Sequence, residues 1–183
     1  AKGDSVSAVE LTGDGGIVAA GSTSSFGASL DAWVLRLDSG GDVVWQRAFR
    51  GADEIELSAI FPTIDGNYIT AGATWSDATT EHFGFMMKLD TSGNIIWQKR
   101  YGAVSGLMFS SAVPTSAGGI IVTANKYSNS AVGARNGTVV LLDANGEAAD
   151  CMSTASWTAT GQETNARPRI STVAAIATNA EAV

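Results

Sequence analysis

One cysteine, one histidine and three prolines are all that this chain of 183 residues holds of those types. Each scarcity removes a class of protein. With Cys151 alone, no internal disulfide can form, so the fold must stand on packing. With His82 alone and a single thiol, the several His and Cys ligands of a typical zinc centre are missing. His82 does not by itself exclude a Ser–His–Asp arrangement, but no Gly-x-Ser-x-Gly elbow supports one. Basic residues are scarce too: 11 Lys and Arg stand against 18 Asp and Glu, a net charge of −7. That balance argues against nucleic acid, whose phosphates call for clustered cations. No apolar run approaches the roughly 18–20 residues that cross a bilayer. The alanine-rich stretch from Thr172 to Val183 is broken by Thr, Asn and Glu and makes no anchor.

What is present is a foldable, weakly charged chain, 45% hydrophobic and 16% charged, with 21 glycines. Its length suits one domain burying about 70% of its unfolded surface. The acidity, low lysine content and abundance of Ser, Thr, Gly and Asn lean towards an extracytoplasmic location. The chain opens on Ala1-Lys2 rather than Met, which fits a processed chain and an excised piece equally.

The strongest pattern is a repeat. Trp33-Val-Leu-Arg-Leu-Asp-Ser-Gly-Gly-Asp-Val-Val-Trp45-Gln-Arg returns as Phe85-Met-Met-Lys-Leu-Asp-Thr-Ser-Gly-Asn-Ile-Ile-Trp97-Gln-Lys, 52 positions later. A weaker copy, Thr138-Val-Val-Leu-Leu-Asp-Ala-Asn-Gly-Glu, follows 53 positions further on, counted from Leu89 to Leu142. Within each copy the apolar segments are short, run with a period of two, and are separated by Gly, Asp and Asn. The first copy reads as strands from Ser5, Ile17, Ala32 and Val43. The second reads as Leu57–Thr63, Tyr68–Gly72, Gly84–Leu89 and Ile95–Tyr101. The third reads as Phe109–Pro114, Ile120–Ala124 and Thr138–Leu142, and decays after Asp143, with Asp150 at its tryptophan position. Pro62 and Pro114 close first strands, where a missing N–H costs least. A period near 50 residues made of strands predicts stacked β units in the range of propeller blades. The expected fold is therefore all-β, with about three blades of four antiparallel strands (about 4–52, 53–104 and 105–150). Residues 151–183 are expected to form a terminal cap or linker, with Ile170–Ala177 a further strand.

The signatures Asp14-Gly-Gly-Ile-Val-Ala-Ala-Gly21 and Asp65-Gly-Asn-Tyr-Ile-Thr-Ala-Gly72, with the Leu-x-Leu-Asp…Trp-Gln-Arg/Lys runs, resemble bacterial β-propeller repeats of the SBBP-type and PQQ-like group. The resemblance covers about four-fifths of the chain and is specific for fold, not activity. It implies that Trp45 and Trp97 dock on neighbouring blades while Asp38 and Asp90 brace the hairpin turns. Closed propellers have 4–8 blades. Three blades leave three possibilities open: partners or further copies complete a ring, the chain is a piece of a longer protein, or the sheets stack open. Quinone-dependent dehydrogenases of the same repeat group use a full ring, a calcium site and a vicinal disulfide, none of which this chain offers, so no cofactor is expected.

Asp38-x-Gly-x-Asp42, Asp90-x-x-Gly-Asn94 and Asp143-x-Asn-Gly146 superficially suggest calcium loops. They lack the bidentate Glu such a loop needs, and turn chemistry explains them; no metal is expected. Blade topology places strand-two-to-three loops and blade-to-blade links on one rim. That would gather Asp53, Glu54 and Glu56 with Trp75, Asp77, Glu81, His82, Tyr127 and Arg135, an acidic rim with aromatics suited to a cation, glycan or basic protein, or else simply solvated loops. His82 itself reads as a loop residue. Asn136-Gly-Thr138 fits a glycosylation sequon, meaningful only in a glycosylating host. The expected function is a non-catalytic scaffold or protein-interaction module, its partner another protein or further copies of itself. The alternatives are a glycan- or small-ligand-binding propeller using the loop rim, and a fragment of a larger enzyme with its active site elsewhere.

Overall fold

The computed structural model describes residues 3–27, 29–76, 81–102, 106–127, 135–148, 154–156 and 160–163. Those residues form strands and turns with no helix among them. Three antiparallel sheets follow one another along the chain. The first holds β1 (Asp4–Leu11), β2 (Ile17–Thr23), β3 (Asp31–Leu37) and β4 (Val43–Arg50). The second holds β5 (Glu54–Pro62), β6 (Tyr68–Ser76), β7 (Glu81–Leu89) and β8 (Ile95–Tyr101). The third holds β9 (Leu107–Pro114), β10 (Ile120–Tyr127) and β11 (Arg135–Leu142). Two short strands, β12 (Thr154–Ser156) and β13 (Thr160–Glu163), pair with β8 and β4.

Turn chemistry repeats with the sequence. In each first hairpin a threonine N–H (Thr12, Thr63, Thr115) donates to the carbonyl four residues on, at 2.9, 2.8 and 2.8 Å. In each last hairpin the aspartate N–H (Asp38, Asp90, Asp143) does the same, at 2.9, 2.8 and 2.9 Å. The carboxylate of that aspartate then accepts two further N–H groups of its own turn. Gly41, Gly93 and Gly146 sit there at φ of 88°, 80° and 74°, a conformation that glycine adopts without steric cost.

A serine bulge recurs in every first strand. Register slips by one residue at Ser7 in β1, Ser58 in β5 and Ser110 in β9. An extra residue reverses the alternation beyond it. Leu57 therefore faces the first sheet, Ala59 and Phe61 face the third, and Ile60 faces the first again. Opposite the bulge, a Cβ on Gly72 would lie 1.9 Å from the Glu56 carbonyl, and one on Gly21 the same distance from that of Ser5. The chain runs too close there for any side chain.

The sheets pack face to face in sequence. Val18, Ala20, Ala32, Val34 and Phe49 meet Ile55, Leu57, Ile60, Tyr68, Phe85, Met87 and Leu89 in one apolar layer. Ala59, Phe61, Ile69, Ala71, Met86 and Tyr101 meet Leu107, Phe109, Ala112, Ile120, Val122 and Leu142 in the next. The middle sheet thus packs against a neighbour on both faces, whereas each outer sheet does so on one.

Candidate functional site

Two joints hold the sheets, and both are built to one plan. In the first, Trp45 on β4 reaches across to the β7–β8 turn, where its indole N–H donates to the Thr91 carbonyl at 2.9 Å. Arg47, two residues on, donates to the Ser92 carbonyl at 3.0 Å. Gly93 lies under the indole; a Cβ there would come within 3.0 Å of the ring. In the second joint Trp97 covers Gly146 in the same way, at 2.8 Å from where a Cβ would stand. Lys99 donates to the Asn145 carbonyl at 2.6 Å and pairs with the Glu147 carboxylate. The Tyr101 hydroxyl donates to the Gly146 carbonyl at 2.8 Å. Each joint therefore has a giving strand, Trp-x-Arg/Lys, and a receiving turn. Trp45 and Trp97 are only half-buried, at the rim of the apolar layers.

The electrostatics follow from these bonds. Backbone N–H groups of Glu147 and Asn145 hold the Asp143 carboxyl below its ordinary range. Burial, with the negative field of Glu147 and Asp143, pushes the Tyr101 phenol above its ordinary value. On the other side of the first joint, Arg36 is buried, pairs with Asp14 at 2.5 Å and donates to the Tyr68 hydroxyl at 3.1 Å. Lys88 and Asp65 repeat that pair at 2.7 Å in the second sheet. Hydrogen bonds from Lys88 and then Thr63 draw the Asp65 carboxyl far below its usual range. At the equivalent positions the third sheet has Leu141 and Ala117, so cation and acid are lost together.

The rim residues divide. Glu54, Trp75 and His82 stand side by side on β5, β6 and β7, with the Trp75 and His82 rings 6.2 Å apart. His82 thus lies within a strand, half-buried, rather than in the loop its sequence neighbours suggest. Glu81 is exposed at the start of β7. Asp53 pairs with Arg100 at 3.4 Å, whose guanidinium lies 4.1 Å from the Phe83 ring centre. Tyr127 and Arg135 are backbone partners at the corresponding end of the third sheet. Asp77 lies outside the described residues. The Gly106 N–H donates to the His82 carbonyl at 2.8 Å, and the Ile55 N–H to that of Leu30 at 3.0 Å. These bonds set the residue before β9 against the start of β7, and the start of β5 against the residue before β3. No group of three or more His, Cys, Asp or Glu that could hold a metal ion occurs among the described residues.

The faces at the two ends are chemically different from this rim. Val6 and Val9 on β1 are 56% and 60% exposed, although their counterparts Leu57 and Ile60 are buried. At the other end Val139 on β11 is 72% exposed and Ile121 is also exposed, where Val34 and Met86, and Val18 and Ile69, are buried. Sequence reasoning found the giving tryptophans but missed the receiving half of each joint. The signal was available in the Asp-x-x-Gly turn that precedes every Trp position. Among known proteins, no family model and no curated sequence matches this chain.

Proposed function

We propose that this chain is a non-catalytic propeller-type scaffold, a protein-interaction module of a larger extracytoplasmic assembly, built from repeats of the SBBP and PQQ-like kind. One observation carries the reading: both end sheets present apolar faces at positions that are packed wherever another sheet is available. Exposed apolar patches of that kind mark interaction surfaces. On the rim Asp53 is already paired with Arg100, while Glu56 and Glu81 stay exposed.

The test is a double variant, Val9→Asp with Val139→Asp. Both positions are exposed, so the stability of the chain should change by less than about 0.5 kcal/mol. Binding of an apolar dye, and incorporation into the native assembly, should both fall to background. A variant that assembles like the parent would sink the proposal.

A further inference from the structure

The joints set out above come in two halves, and one half is left over. The first sheet gives a tryptophan through β4, and the second sheet both receives one and gives one. The β3–β4 turn of the first sheet, Asp38-Ser-Gly-Gly-Asp42, has the same build as the two receiving turns. The Asp38 N–H donates to the Asp42 carbonyl at 2.9 Å and the Gly41 N–H to the Asp38 carbonyl at 3.1 Å. Its glycine holds the same positive φ of 88°. A Cβ on Gly41 would meet nothing within 4 Å, where one on Gly93 or Gly146 would strike an indole. Ser39 and Gly40, whose carbonyls correspond to those of Thr91 and Ser92, are exposed with the rest of the turn. On the same sheet, β1 leaves Val6 and Val9 uncovered.

We infer that this turn and this face together are a receiving site, and that its occupant is a four-stranded blade on a partner protein whose outermost strand carries Trp-x-Arg or Trp-x-Lys. The inference rests on the scaffold reading and gives one of its surfaces a recognition rule. The indole would cap the Ser39 carbonyl over Gly41, as Trp45 caps that of Thr91. The cation two residues on would meet Asp42, which occupies the place of Glu147, the acid that pairs with Lys99. Charge argues for the match: this turn carries two exposed carboxylates, Asp38 and Asp42, and the Asp143–Glu147 turn that receives Lys99 also carries two. A second copy of this chain supplies no such strand. Its Trp45 and Trp97 are engaged in its own joints, and its third repeat has Asp150 where the tryptophan belongs.

The experiment supplies the occupant in a defined form, by repeating residues 53–104 ahead of Ala1 in the full chain, and follows amide hydrogen exchange in the 38–42 turn. Docking should slow exchange of the Gly41 and Asp42 amides by about tenfold or more. Asp42→Lys in the receiving turn should abolish the slowing. Lys99→Glu in the added unit should restore it by exchanging the charges. The inference is overturned if the fused unit leaves the turn unprotected, or if Asp42→Lys makes no difference. It is also overturned if the unfused chain forms dimers with Val6 and Val9 protected, because a second copy then owns the face. An unprotected turn in a chain that still assembles through its end faces would defeat this inference alone. Loss of assembly through those faces would defeat the scaffold reading itself.

Discussion

Trp97 stabilises the chain by covering Gly146 while Lys99 and Tyr101 tie the same turn from either side. Because the indole is half-exposed, Trp97→Ala should cost less than a fully buried aromatic, about 2–3 kcal/mol, measured as a shift in the denaturant midpoint. Gly72 is constrained differently. Adding even a methyl group there drives it into the Glu56 carbonyl, so Gly72→Ala should destabilise by about 2–3 kcal/mol or more. A variant melting like the parent would show that β5 can move away. Asp65 is one of the carboxyls that contribute to acid sensitivity. Its folded pKa lies below the ordinary 3.8, so the unfolded chain takes up its proton first as pH falls. Its contribution is complete above about pH 5 and is lost through pH 4 and below. Asp65→Asn should therefore flatten the acid limb of the stability profile and leave the neutral region less stable.

At the scale of the strand, the eleven strands of the three repeats were legible because two turn motifs punctuate them, Thr-x-x-Gly and Asp-x-x-Gly. The bulges were not read, although Ser7, Ser58 and Ser110 recur in phase with the repeat. A bulge leaves no mark on composition, only a slip in which apolar residues share a face. Ser58 adds a bond that no periodicity encodes: its hydroxyl donates to the Phe109 carbonyl at 2.9 Å, across the joint. Ser58→Ala should cost about 1 kcal/mol in a thermal melt while leaving the register of β5 unchanged. The strands β12 and β13 were beyond sequence reasoning for another reason. They belong to the sheets through backbone pairing at the open edges of β8 and β4, which any extended segment can supply. The rim was partly legible: topology grouped Glu54, Trp75 and His82, but not the strand placement of His82.

Across the whole molecule the repeats degrade in one direction. The third sheet has no fourth strand among the described residues, only a bridge between Leu142 and Ala148. It has also lost the buried cation and its acid together, replaced by Leu141 and Ala117. Both ends of the stack present apolar faces, and the first adds an unoccupied acidic turn, Asp38–Asp42. Such ends differ in what they admit, which gives the array a direction. The dye experiment with Val9→Asp and Val139→Asp made singly should resolve two separable patches rather than one.

The tail strands also set how the stack responds to load. β12 lies along the edge of the second sheet and β13 along that of the first, so the chain doubles back across the joint that Trp45 closes. Tension drawn from the Glu163 side would open β13 one residue at a time, like a zip, and then β12, before it reached any packed face. The joints themselves would be loaded only afterwards. Pulled from that side in a force-extension measurement, the chain should release β13 and β12 before the tryptophan joints open.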